Sequence, residues 1–201
     1  MFEMITPIDY KILDAIQGSL SSPALDSFFG VVTHLGDSGI IWVLCTIVFL
    51  FTKRLRFIGI ASTIAFFFVV VFGEFGIKLL VARLRPFVQD PSIQLIIDAP
   101  SGYSFPSIHA ASSLATATVV AALPFLNKQQ GKVNDAKTWI FVGAIVTLAV
   151  LIAFSRLYVQ VHFPSDVLAG TIFGILCGLA GLLIAQKLAD TWALKHPDHT
   201  A

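Results

Sequence analysis

Three short stretches of the sequence gather residue types suited to chemistry on a phosphate group. The first is Lys78-Leu-Leu-Val-Ala-Arg83-Leu-Arg85-Pro86, the second Phe105-Pro106-Ser107-Ile108-His109, and the third Ser155-Arg156 followed by His162-Phe-Pro164-Ser-Asp166. Lys78 and Arg85 are seven residues apart, so an unbroken helix carries both on one face, with Arg83 directed elsewhere. Pro106 suits the first turn of a helix, where unpaired N–H groups and the positive dipole end attract an anion; Ser107 adds a hydroxyl donor and His109 falls in the same turn. Pro164 opens another helix, so Asp166 in its first turn folds back onto the His162 imidazole. A carboxylate bonded to one ring nitrogen fixes the tautomer and leaves the other as a nucleophile or base.

Each residue taken alone has an ordinary explanation. Lys78 pairs with Glu74 at i−4 as an interfacial lysine, Arg156 binds lipid head groups, and a single histidine at a helix start is structural. Three cations (Lys78, Arg85 and Arg156), a helix start, a serine and two histidines on one face describe a phosphate site instead. Spacing does not decide which histidine attacks.

The elements that must position these residues are membrane helices. Hydrophobic residues make up 56% of the 201-residue chain and charged residues 12%, and mean hydropathy is +0.85. A chain so poor in polar surface cannot cover itself in water, which excludes a soluble enzyme, a disordered tail and a fibrous protein. Five apolar runs are long enough to cross or nearly cross a bilayer: Ile40 to Thr52, Phe57 to Gly73 with helix continuing toward Val81, Pro106 to Phe125, Trp139 to Phe154, and Pro164 to Ala185. The first is short unless its helix starts near Leu35. Ahead of them, Pro7 to Leu20 sets Ile8, Ile12, Leu13 and Ile16 opposite Asp9, Lys11 and Asp14, the pattern of an interfacial helix, and Pro23 to His34 forms a second amphipathic piece. The expected architecture is all-α: a polytopic transmembrane helix bundle of about five spans plus N-terminal interfacial helices. It forms one membrane domain over residues 1–201, with interfacial helices in 1–36, the transmembrane bundle in 37–190 and a cytoplasmic tail in 191–201.

Charge sets the orientation. Lys53, Arg54 and Arg56, then Lys128, Lys132 and Lys137, then Lys187 and Lys195 occupy three regions that the positive-inside rule puts in the cytoplasm. Alternate crossing then brings all three phosphate-directed stretches to the outer face of a cell membrane. A formal net charge of +1 leaves no basic stripe for nucleic acid. Cys45 and Cys177 lie in apolar runs and read as buried free thiols. The N-terminus lacks the pattern of a cleaved signal peptide. No metal cluster or other cofactor site is legible, and nothing sets an oligomeric state.

Lys-x6-Arg-Pro, Pro-Ser-x-His and Ser-Arg-x5-His-x3-Asp, in this order, resemble the three signature motifs of the type 2 phosphatidic acid phosphatase superfamily, over Lys78 to Asp166 and into the surrounding spans. The resemblance implies that His162 attacks phosphorus, Asp166 orients and stabilises it, and His109 protonates the leaving oxygen. It further implies that Lys78, Arg85, Ser107, the Ile108 backbone N–H and Arg156 hold the phosphoryl oxygens, with no metal or other cofactor. The partner implied is a lipid phosphate in the bilayer, undecaprenyl diphosphate or phosphatidylglycerol phosphate for a bacterial source. A phosphotransferase, or a membrane protein that binds lipid phosphate without turning it over, carries the same cations. The third residue of the second motif is usually glycine, and Ile108 stands there instead. Relative to six-span members an N-terminal span is missing, which implies five spans with the N-terminus outside.

Overall fold

A computed structural model describes residues 2–129, 131 and 133–195; Lys132 and the end of the tail expected over 191–201 lie outside them. The described residues are helical throughout their regular structure, and proline and capping residues set most helix starts. α1 (Thr6–Leu20) and α2 (Pro23–Leu35) each carry proline in the first turn, and the Ser22 hydroxyl caps α2 by accepting from the Leu25 N–H. A short 3₁₀ turn, Asp37–Gly39, leads into α3 (Ile40–Phe51). α4 (Arg56–Phe68) continues through a π-helical stretch, Val69–Ile77, into α5 (Lys78–Val81). There the left-handed Ala82 (φ 48°) ends the helix. α6 (Pro86–Gln89), α7 (Ile108–Ala121), α8 (Leu123–Gln129), α9 (Ala136–Tyr158) and α10 (Pro164–Lys195) follow.

Among the described residues four runs are long and apolar enough to cross a membrane: Arg56–Gln89, Ile108–Gln129, Ala136–Tyr158 and Pro164–Lys195. A fifth arises if α2 and the run Asp37–Phe51, which meet at a 45° bend, act as one broken span. At 1.5 Å per residue α3 alone is about 18 Å long, short of the roughly 30 Å of hydrocarbon. The segment expected at the interface, Pro23 to His34, would supply the missing length if the two runs form one span. α1 departs from its expected pattern at one residue. Asp9 of the polar face is buried at 2% exposure, because it turns inward to a cation described below.

α7 is the central helix, with Ala110, Ala111, Ala115, Ser112, Ser113 and Thr116 all buried. The Trp42 indole N–H of α3 donates to Ser113 Oγ at 2.9 Å. Against its other side lies α10. A Cβ at Gly170 would collide with the Ser107 carbonyl oxygen and one at Gly174 with that of Ala111. Small residues four apart let two membrane helices touch backbone to backbone. This seam fixes the start of α7 against the start of α10, and the Ser107 N–H donates to the Asp166 carbonyl at 3.1 Å. Cys45 is half-buried, Cys177 is buried, and both are free thiols.

Candidate active site

His162 occupies the tight connection between α9 and α10. Gln160 turns the chain with φ 55°, and the N–H groups of Val161 and His162 both return to the Arg156 carbonyl, at 3.2 and 3.3 Å. Pro164 then opens α10, and Asp166 accepts the Phe163 N–H at 2.9 Å through Oδ2. That same oxygen stands 3.7 Å from His162 Nδ1, too far for a direct hydrogen bond. The Ser104 hydroxyl lies between them, 3.4 Å from Nδ1 and donating a short bond to Asp166 Oδ2. Asp166 thus faces the ring nitrogen expected of it, but through a serine that spacing gave no means of finding.

The other ring nitrogen meets Arg85, whose Nη1 is 3.1 Å from His162 Nε2. A guanidinium only donates, so Nε2 accepts and the ring proton is assigned to Nδ1, facing Ser104 and Asp166. Arg85 is aimed by three carbonyls, those of Ser101, Gly102 and Val161, each at 3.0 Å. Burial, opposed by Asp166 and aided by Arg85 and Arg156, lowers the His162 pKa to about 3, so its ring is neutral at physiological pH.

Lys78 and Arg85 do not share one helical face. The helix stops at Val81, and Arg85 is the extended residue that precedes α6. The chain break at Ala82 brings Arg85 to the histidine while Lys78 remains on the helix, its Nζ 2.6 Å from Glu74 Oε2. Arg156, 2% exposed, donates from Nη1 to Thr33 Oγ1 at 2.5 Å, and its Nε has no partner.

α7 begins two residues later than expected. Pro106 precedes it, and Ser107 is the N-cap, its extended backbone turning the hydroxyl toward the Ala110 N–H. Ile108 and His109 form the first turn. Ile108 fits because its neighbour across the groove is Gly73, where a Cβ would stand 2.9 Å from Ile108 Cδ1. His109 Nε2 is 3.1 Å from Asp37 Oδ1 in the bend between α2 and α3, and the other Asp37 oxygen is 2.7 Å from His34 Nδ1.

Lys78, Arg85, Ile108, His109, Arg156 and His162 line one cavity of about 490 Å³, whose walls also include Asp37, Phe66 and Val70. Ser107 and Asp166 sit behind it. Behind His162 lies a network that sequence reasoning missed. Arg83 Nη1 donates to Asp166 Oδ1 at 2.6 Å and Arg83 Nη2 to Asp9 Oδ2 at 2.8 Å, with the Phe2 and Phe163 rings against the guanidinium. Asp9 also accepts the Ser165 N–H and hydroxyl. An acid placed early on α1 and a fourth cation, Arg83, two residues before Arg85 were the available signals. Neither has a meaning until the fold joins them. Among the described residues no group of three or more His, Cys, Asp or Glu is arranged to hold a metal ion.

The model of the PAP2 superfamily matches residues 59–190. The undecaprenyl-diphosphatase of Sulfolobus acidocaldarius is 36% identical over 147 residues, covering 72% of this chain and 65% of that protein. Phosphatidylglycerophosphatase B of Bacillus subtilis is 31% identical over 166 residues, covering 78% and 73%. A crystal structure of a transmembrane PAP2-type phosphatidylglycerolphosphate phosphatase from Bacillus subtilis superposes with a TM-score of 0.68 at 25% identity, over 92% of this chain and 88% of that one. With its apolar helices, three motifs and matching fold, the chain belongs to the PAP2 superfamily, among its membrane lipid phosphatases.

Proposed function

We propose that this protein removes a terminal phosphate from a lipid phosphate or diphosphate at the outer face of a cell membrane, through a phosphohistidine on His162. The observation that carries the reading is the Arg85 guanidinium 3.1 Å from His162 Nε2. It keeps a lone pair on the nitrogen that borders the cavity and sets a cation where phosphoryl oxygens would lie. Lys78 and Arg156 supply further positive charge, and the Ile108 N–H at the open start of α7 supplies a donor. Ser107 fixes that start by accepting the Ala110 N–H, and its hydroxyl proton is left to donate to a phosphoryl oxygen.

As the Nε2–phosphorus bond forms, the ester or anhydride P–O bond breaks and His109 gives the leaving oxygen a proton. Water then attacks the phosphohistidine and returns a proton to His109, releasing phosphate and restoring both rings. Charge on His162 in the intermediate is balanced by Asp166 through Ser104. Phe66 and Val70 offer the substrate's apolar chain a way into the bilayer. The names of the relatives support undecaprenyl diphosphate and phosphatidylglycerol phosphate as the first substrates to test.

The test is a panel of lipid phosphates and diphosphates given to purified protein in chelator, with phosphate release measured. Release from at least one lipid, blocked by vanadate, is expected. Binding without release would leave a non-catalytic binder, and transfer to an added alcohol in place of water would make the protein a phosphotransferase.

A further inference from the structure

The bend between α2 and α3 is shaped around one imidazole. Gly36 approaches His109 so closely that a Cβ there would stand 2.6 Å from the ring Cδ2. Asp37 follows, with Oδ1 3.1 Å from His109 Nε2 and Oδ2 2.7 Å from His34 Nδ1. Ser38 then takes a left-handed conformation at φ 51°, as does Gly39 at φ 64°. A serine in that region persists only where its surroundings hold it. Gly39 is pinned from another side, since a Cβ there would lie 2.8 Å from the Phe66 ring. A close approach, a polar bond and a strained residue thus occupy four consecutive positions, and together they bring Asp37 against His109.

We propose that Asp37 is a positioning residue for His109, fixing the ring's orientation and stabilising its protonated form so that it enters the reaction as an acid. This rests on the reading above, in which His109 protonates the leaving oxygen. The other charged groups around the cavity oppose that state: Arg156, Arg85 and Lys78 are cations, and Glu74 is engaged by Lys78. His162 is neutral there, and His34 reaches Asp37 rather than His109. Asp37 is the carboxylate in bonding distance of the ring, and such a bond favours imidazolium.

The Cδ2 and Nε2 edge of His109 faces the bend, which leaves Nδ1 on the opposite edge. An imidazolium carries a proton on each nitrogen. Asp37 holds the Nε2 proton, and the Nδ1 proton passes to the leaving oxygen as the P–O bond breaks. The water that cleaves the phosphohistidine gives a proton back to Nδ1. Asp37 stays ionised, and no proton is gained or lost over the cycle.

The experiment compares an alkyl phosphate, whose leaving group needs a proton, with an aryl phosphate, whose leaving group does not. The proteins are the full chain, Asp37→Asn, Asp37→Glu, His109→Ala and the double variant with Asp37→Asn and His109→Ala. Asp37→Asn should lower kcat on the alkyl substrate by on the order of tenfold to a hundredfold, with KM little changed and less than about threefold lost on the aryl substrate. Asp37→Glu should recover part of the loss. In the His109→Ala background, Asp37→Asn should have no further effect. Equal losses on both substrates, or a loss that multiplies with that of His109→Ala, would overturn the proposal and make Asp37 a structural residue of the bend. Equal losses on both substrates in His109→Ala itself would overturn the reading of His109 as the acid, and the proposal with it.

Discussion

Arg83 Nη1 meets Asp166 at Oδ1, 2.6 Å away, on the carboxylate oxygen opposite the one that faces His162. The guanidinium reaches Asp9 of α1 at 2.8 Å with its other nitrogen, so one buried cation ties the N-terminal helix to the start of α10. Arg83→Ala leaves two carboxylates buried without a countercharge. It should destabilise the protein by about 3–5 kcal/mol, read as a fall in the thermal unfolding midpoint in detergent. A midpoint at the wild-type value would show that the network does not hold the fold.

The seam between α7 and α10 gives a second expectation. Gly174→Ala sets a methyl group into the Ala111 backbone and should cost about 1–3 kcal/mol through overpacking. Gly143→Ala on α9, where a Cβ meets nothing within 4 Å, should be neutral or stabilising by up to about 1 kcal/mol. Equal effects at the two sites would deny the seam its role.

Much of this architecture is legible in the sequence, and the illegible parts share a cause. Apolar run length gives the four long helices, because crossing hydrocarbon sets a minimum length that local composition must meet. The pairing of α2 with α3 is hidden because α2 is amphipathic by itself and meets α3 only across the Gly36–Gly39 bend. Lys78, Arg85, Ile108, His109, Arg156 and His162 are legible as a group and meet at one cavity. Their geometry is less so: a helical line from Lys78 to Arg85 assumes a helix that Ala82 ends. Ser104, Asp9, Arg83 and Asp37 escape because each acts on a residue far along the chain, and spacing reports only near neighbours.

A third expectation concerns pH. The folded His162 pKa is lowered to about 3, whereas an unfolded histidine titrates near 6.5. Above pH 6.5 both states are neutral and the contribution of His162 to stability is intact. As pH falls from 6.5 toward 3, only the unfolded chain takes the proton, so stability is lost. The unfolding free energy of the wild type should therefore fall relative to that of His162→Gln over that window, by at most about 1.4 kcal/mol per pH unit, read from unfolding curves in detergent. A constant difference between the two proteins would mean that the buried ring is protonated in the native state.

The division of labour between the histidines is tested by trapping. His162→Ala should abolish phosphoenzyme formation with every substrate, because no other ring nitrogen takes the position beside Arg85. His109→Ala should still form phosphoenzyme from an aryl phosphate. Labelled phosphate trapped on the His162 variant would reverse the assignment.

The proposed sidedness is tested by labelling on the two sides of the membrane. With Cys45 and Cys177 replaced, a cysteine at Ser92 should react with an impermeant reagent on intact cells. One at Val133, 92% exposed in the opposite loop, should not. Gln130, a natural alternative in that loop, lies outside the described residues. The reverse pattern would put the cavity on the cytoplasmic side.

The glycine seam has a mechanical meaning as well as a structural one. Ser107, two residues before His109, and Asp166, four residues after His162, are joined backbone to backbone beside the Gly170 and Gly174 contacts, with no flexible side chains between them to absorb a shift. The two histidines therefore ride on one stiff body. Across the cavity the backbone is irregular instead, in the α2–α3 bend and in the π-helical stretch before Lys78. The spacing of the two histidines is thus set by the seam and not by the π-helical stretch across the cavity.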